Sequence, residues 1–308
     1  MRLTKVLGLI VIALLIVVNC SKNDEADVEA FLDRCWFVGG EVQTSDDSTN
    51  TPALASGPFI TTDTFPFYVK WVRFIERPVE RHYDIDVVGD SAFVTMTSYL
   101  QGTPPGYGFF VRNDTTNPML IYDRVITDSI IRRIKCYRDD AGWHLASITV
   151  ADIYTVGTQH PVTITKVEVR VSDSLVFSVD DPNTYFTKEQ LPTFLPGDTV
   201  EVTVYCEAQD DSTWAFLHHG AGHKPGIGLR RHWRQPFYRE NTTTFTRTWV
   251  IADDSVIVTP AVRHSAVDVL GWETLFGDST ATYYSRAWAL PYIVKSPTDT
   301  LPDDAEPE

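Results

Sequence analysis

The sequence predicts an α+β domain, with helices on one face of a curved antiparallel sheet, followed by an all-β sandwich. Three observations carry this. A single apolar helical stripe opens after residue 24. Period-two patterning sets in after Pro78. From Val162 onward, strand signals separated by turn clusters recur with no helical period.

The helix comes first. Asn23 and Asp24 supply caps, and Val28, Phe31, Leu32, Cys35 and Trp36 recur at i, i+3, i+4, i+7 and i+8 before Gly39-Gly40 closes the stripe. A Ser/Thr/Asp-rich segment runs to about Thr62. Tyr68, Trp71, Val72 and Ile75 repeat the helical spacing between Pro66 and Pro78, with strand as the competing reading of so short a run.

After Pro78, Tyr83, Ile85 and Val87 alternate with His82, Asp84 and Asp86. Gly89-Asp90 turns the chain into AFVTMTSYL, residues 92 to 100. Three more strands follow at Met119 to Thr127, Ser129 to Arg138 and Trp143 to Tyr154, the last two joined across DDAG. The stretch 155–161 reads as a linker. Seven strand signals then span 162–295, separated by DDPN, PGD, DDS and GDS. The tail 296–308, SPTDTLPDDAEPE, is Pro-rich and acidic and is expected to be disordered.

The N-terminus specifies an address. Arg2 and Lys5 precede thirteen unbroken apolar residues, Val6 to Val18, which suits a secretory signal and is shorter than the roughly 20 residues a spanning helix needs. Val17-Val18-Asn19-Cys20 resembles the lipobox of bacterial lipoproteins, departing from it at Asn19. That resemblance implies a lipoprotein signal peptide over 1–20, cleaved just ahead of Cys20 so that the lipidated cysteine becomes the new N-terminus, and a membrane-tethered location in the cell envelope. Ser21 after the cysteine points to the outer membrane.

Composition narrows the partners. The chain carries 26 Lys and Arg against 41 Asp and Glu, a net charge of −15; without Arg2 and Lys5 it is 24 against 41, or −17. Such a surface repels phosphate backbones and disfavours nucleic acid. Cys35, Cys136 and Cys206 remain after Cys20. Cys35 and Cys136 fall in one expected domain, leaving two readings open: a disulfide, or two buried thiols.

HYDIDVVGDSAFVTMTSYLQG and IRRIKCYRDDAGWHLASITVADIY, with the early helix, resemble the NTF2-like (SnoaL-like) cone over some 120 residues. Enzymes of that family place acid-base groups inside the cone, so the resemblance makes His82, Tyr122 and Asp123 weak catalytic candidates, with Tyr99 and Asp152 beside them. LPGDTVEVTVYCEA and TTTFTRTWVIADDSV resemble the Ig-like modules of bacterial surface proteins.

The strongest anomaly is WAFLHHGAGHKPGIGLRRHWRQPFYRE, residues 214–240. It gathers His218, His219, His223 and His232 with Arg230, Arg231 and Arg234 around Trp233, in an otherwise acidic chain. Three readings compete for this expected loop. His218, His219 and His223 could ligate a transition metal, with His232 as a fourth ligand. The arginines could contact an anionic glycan, lipid headgroup or envelope protein. The charges could instead pair with the chain's own carboxylates. No nucleophile elbow, HExxH or phosphate-binding glycine loop occurs, and no cofactor is implied. The sequence therefore leans toward a non-catalytic envelope binding or assembly module, with chemistry or ligand carriage inside the cone as the alternative.

Overall fold

One sheet runs through both expected domains. The computed structural model describes residues 24–38, 65–66, 68–114, 120–157, 161–208, 213–220, 232–251 and 259–305. Its organising element is a ten-stranded sheet built on β2 (Arg81–Val88), β3 (Ser91–Gly102), β6 (Ile126–Asp139) and β8 (Ala151–Thr155). It continues through β18 (Ser285–Val294), β17 (Ala261–Leu270) and β13 (Trp214–Gly220) to β14 (His232–Pro236) at the far edge. All these neighbours are antiparallel. β7 (Gly142–Ile148) pairs the upper part of β6, and the two-residue β11 (Thr193–Phe194) runs parallel to the end of β18.

The joint lies at β8. β6 is fourteen residues long; β7 covers its C-terminal part and β8 its N-terminal part. The other edge of β8 is taken by β18, with Arg286 opposite Tyr154 and Ala289 opposite Ala151. The sheet therefore takes strands from both expected domains, while the chain itself leaves it after Thr155 and resumes as β9 (Val162–Val171) in another sheet.

Two smaller sheets cover this one. The first comprises β1 (Val69–Phe74), β4 (Gly108–Asn113) and β5 (Leu120–Arg124), in the order β1-β4-β5. The second, in the order β10-β9-β12-β16-β15, adds β10 (Ser174–Val179), β12 (Thr199–Ala208), β15 (Tyr238–Asn241) and β16 (Thr244–Val250) to β9. A helix over residues 24–34, α1, and a five-residue helix, α2 (Trp272–Phe276), complete the regular elements.

Strand alternation decides which cover meets which face. Residues directly opposite each other share a face of the sheet. Arg132, Ala151, Ala289, Ala266 and His218 point one way, as do Ile153, Ala287, Asp268 and Phe216. Ala151, Ala266, Ala287 and Ala289 are all fully or almost fully buried there. Their small side chains let the three-stranded sheet and the 36–38 turn approach closely. Trp71 of β1 packs edge-on to Phe216 at 5.0 Å, and Arg132 donates to the carbonyls of Val38 (2.7 Å) and Ala289 (2.9 Å). On the opposite face, Trp288, Val267 and Leu217 meet Val169, Val202 and Trp249 of the five-stranded sheet.

These observations correct the expected fold class. The chain is mostly β, with three sheets and one helix of seven or more residues among those described; it is not an α+β NTF2-like cone. A cone needs helices to fill a sheet that curls on itself. Here one face of the large sheet is covered by the three-stranded sheet, and the edge of β8 is paired with β18. The segment 68–75 is the decisive local miss. It forms β1, whose inward residues are Val69, Trp71 and Arg73 at period two, and the arginine among them masks the alternation.

The acidic tail also departs from its expected disorder as far as residue 305. Asp304 is buried, its backbone carbonyl accepts from Trp36 N at 2.8 Å, and Ala305 bridges Cys35. Its carboxylate accepts from Leu145 N at 3.1 Å and from Lys188 Nζ at 2.8 Å. Polar anchors of this kind hold a segment that has little apolar surface to bury.

Candidate functional site

A concentration of reactive side-chain types lies under β1 in the described interior, and six strands or their flanks build it. β1 supplies Arg73, β17 Asp268, β13 His218, β6 Asp128 and β8 Thr155; Ser285 opens β18, with Tyr283 just before it. Arg73 is the hub. Its Nη1 donates to Asp268 Oδ2 at 2.6 Å, its Nε to Tyr283 OH at 2.9 Å and its Nη2 to Ser285 Oγ at 3.1 Å. Ser285 Oγ in turn donates a hydrogen bond to Asp268 Oδ1 at 2.7 Å, and His218 Nε2 lies 3.0 Å from Asp268 Oδ2. Tyr283 OH donates to Asp128 Oδ2 at 2.7 Å, and Thr155 Oγ1 to Asp128 Oδ1 at 2.7 Å.

Burial sets the electrostatics. Arg73, Asp128, Asp268 and His218 are each at most 1% exposed. Burial pushes the Asp128 carboxyl up to about 6, against a smaller pull downward from Arg73. Burial also acts to raise Asp268, but Arg73 and His218 together outweigh it and hold that carboxyl well below the usual range. Burial drives the Tyr283 phenol well above its ordinary value, so it stays a donor. One carboxylate is thus firmly ionised beside the arginine, while the second readily holds a proton.

The inventory of Ser, His and Asp invites comparison with a hydrolytic triad, and the wiring excludes it. In a triad the histidine sits between serine and aspartate and takes the nucleophile's proton. Here Asp268 is in the middle, accepting from Ser285 and bonded to His218, so the serine hydroxyl faces a carboxylate already held by Arg73. Each group is spent on another protein group. The arrangement joins the three-stranded sheet to the ten-stranded sheet.

The sequence-predicted residues distribute as follows. His218 and His219 are not on a loop; they are buried neighbours in β13 and point to opposite faces. His218 enters the charge network, while His219 packs on Trp249 across the sheet, ring centroids 4.9 Å apart. Two imidazoles on opposite faces of one strand cannot converge on one metal. Arg234 is buried as well, its guanidinium 3.4 Å above the Trp71 ring and donating to the Trp71 carbonyl. It is a packing residue of the interior and is withdrawn from any anionic partner. His232 and Trp233 belong to β14, while His223, Arg230 and Arg231 lie outside the described residues, as does Cys20. Among the described residues no group of three or more His, Cys, Asp or Glu is arranged to hold a metal.

The acid-base candidates do not converge either. His82 is exposed on the edge strand β2 of the large sheet. Half-buried Tyr122 and exposed Asp123 are on β5 of the three-stranded sheet. Tyr99 is exposed, and Asp152 pairs with Arg286 at 2.7 Å and accepts from Trp288 Nε1 at 3.2 Å. Cys35 and Cys136 are free, buried thiols rather than a disulfide, and burial pushes both up to about 12.

Two cavities lie elsewhere among the described residues. The apolar void between the large and five-stranded sheets, lined by Trp249, Trp288, Phe194 and Tyr292 among others, holds about 50 Å³. That is well short of the roughly 300–1,000 Å³ of small-molecule sites. The second is an open polar groove of about 430 Å³ between α1 and the start of β2, lined by Glu29, Asp33, Glu80, Arg81, His82 and Tyr83.

Sequence reasoning missed Arg73, Asp128, Asp268, Tyr283 and Ser285. The available signal was an ionisable residue at an inward position of an alternating strand: Arg73 after Val69 and Trp71, and Asp268 between Val267 and Val269. Comparison with protein-family models and with curated proteins finds no match for this chain. No helix among the described residues is long and apolar enough to cross a membrane.

Proposed function

We propose that this chain is a non-catalytic binding or assembly protein of the cell envelope, tethered by a lipid on Cys20. The observation that supports the non-catalytic reading is the closed wiring of the Arg73 network. The constellation richest in reactive groups has every member directed at another, with Arg73, Asp128, Asp268 and His218 at most 1% exposed, which is the chemistry of a clamp between sheets. The alternative of chemistry inside a cone falls with the cone. The address rests on the apolar run Val6 to Val18 and the junction at Cys20.

Metabolic labelling with a clickable fatty acid tests the tether: label on the wild type that vanishes in Cys20→Ala supports it, and label that persists removes it. Crosslinking in intact cells tests the binding role. The contact reading of the His/Arg stretch now rests on His223, Arg230 and Arg231, because His218, His219 and Arg234 belong to the interior. The informative variant is therefore Arg230→Glu/Arg231→Glu, which spares β13 and β14. An envelope partner captured by the wild type and lost in this variant supports the stretch as the contact; equal capture moves the contact elsewhere.

A further inference from the structure

The large sheet has one face that only half of the molecule covers. Trp288, Asp152, Ile131, Thr97 and His82 are opposite one another in turn, and so share this face from β18 to the edge strand β2. The five-stranded sheet lies over the β17–β18 part. Over β2, β3 and β6 the face is open. The loop after β10 borders it, where Asn183 accepts from Arg133 and the Tyr185 ring lies 4.0 Å from Lys135 Nζ.

The open floor has an ordered composition. β3 runs down its centre with Phe93, Thr95, Thr97 and Tyr99 outward. β2 sets Asp84 and Asp86 on one side, opposite Thr95 and Phe93, and β6 sets Arg133 and Lys135 on the other, opposite the same two residues. Neither pairing contains a bulge, so the rows stay in register. Three rings stand out from the floor: Phe93 (45% exposed), Tyr99 (48%) and, beside Phe93 on β6, Tyr137 (45%). Tyr137 is held by stacking on His144, centroids 5.1 Å apart and planes at 26°. Phe93 and Tyr99 are six residues apart on an extended strand, about 20 Å.

We propose that this face of β2, β3 and β6 binds a neutral oligosaccharide or polysaccharide, with Phe93, Tyr137 and Tyr99 as stacking platforms. The inference deepens the binding-module reading by naming a ligand class, and it rests on that reading only in taking the protein to be non-catalytic; it is independent of the lipid. The charge pattern selects the ligand. Carboxylates on one side of the stripe and cations on the other, at Phe93 and Thr95, supply acceptors and donors to hydroxyl groups there. A polyanion meets Asp84, Asp86 and a chain of net charge −15; a polycation meets Arg133 and Lys135. A protein partner is disfavoured because interface cores are depleted of charge, and here charges flank the stripe on both sides at Phe93 and Thr95. The pre-set rings lose little conformational freedom on binding.

The test is affinity electrophoresis of the full-length protein through gels containing cello-oligosaccharide-derived glucan, mannan, xylan or starch, with alginate as the anionic control. It is backed by a glycan array spanning neutral and anionic structures. The expected result is retardation or array binding by at least one neutral glycan, weakened at least tenfold in Phe93→Ala and Tyr137→Ala while both variants keep the wild-type Tm. These side chains are half out in solvent, so their removal leaves the fold intact. Binding to no neutral glycan on gel or array, binding confined to anionic glycans, or binding unchanged in both variants overturns the proposal. A photocrosslinker at position 93 that captures an envelope protein would also overturn it, while leaving the binding-module reading standing.

Discussion

Arg73 Nη1 and Asp268 Oδ2 lie 2.6 Å apart, 195 residues distant in sequence and almost wholly excluded from water. No local preference brings them together. The pair exists only once β1 has docked on β17, so it reports the assembled three-sheet structure and depends on it.

Removing one partner should therefore be costly. In Arg73→Met the Asp268 carboxylate stays buried with only His218 and Ser285 as partners. We expect a loss of about 3–5 kcal/mol in denaturant unfolding, typical of an orphaned buried charge. The double variant Arg73→Met/Asp268→Leu should lose less than the sum of the two single variants, because neither charge is left behind. Strict additivity would show that the two residues act separately.

The two carboxyls of the network predict opposite pH responses. Asp128 has its folded pKa raised from 3.8 to about 6, so the folded state binds the extra proton. Its contribution is fully present below about pH 4 and declines as the pH rises through 6. Asp268 is depressed, so its contribution is present above the ordinary carboxylate range and lost as the pH falls below it. Asp128→Asn removes the first response only. Relative to wild type it should gain about 2–3 kcal/mol between pH 4 and pH 8, since each pKa unit corresponds to about 1.4 kcal/mol. Urea unfolding at both pH values measures this; a constant difference would mean that Asp128 does not titrate there.

The C-terminal strap predicts a stability cost far from any conventional core. Asp304→Ala leaves Leu145 N–H without its acceptor and Lys188 without its partner. A loss of about 1–3 kcal/mol is expected. Truncation after residue 295 should cost at least as much. An unchanged midpoint in both variants would return the tail to the disorder its composition suggests.

Thiol chemistry separates the two readings of the cysteines. With Cys35, Cys136 and Cys206 free, buried and pushed up to about 12, a thiol reagent at pH 8 should react with none of them in the native protein. In denaturant without reductant, all three should react. Only one reactive thiol after unfolding would restore the Cys35–Cys136 disulfide.

Much of the strand pattern was legible from the sequence. β9 begins at Val162, where the run of strand signals was expected to start, and the DDAG hairpin joins β6 to β7. The α1 stripe Val28, Phe31, Leu32 and Cys35 is buried as its spacing requires, though Trp36 remains 43% exposed. The helical reading of 68–75 failed because Tyr68, Trp71, Val72 and Ile75 fit a 3.6 period by coincidence, while Arg73 concealed the period of two. His218 and His219 looked like loop residues because glycines follow them. Their burial depends on Asp268 and Trp249, which lie 50 and 30 residues further along the chain.

The division has a physical cause. Alternation and turn residues are local properties, so the sequence by itself determined many strand positions. Which strands become neighbours depends on edges and faces being satisfied across the whole chain. Tertiary structure alone placed β18 against β8, fused two expected domains into one sheet and gathered Arg73, Asp128, His218 and Asp268 into a single sealed network. Each strand contributes one member to that network, and a lone charged residue in a strand carries no local sign that its partner is waiting on another.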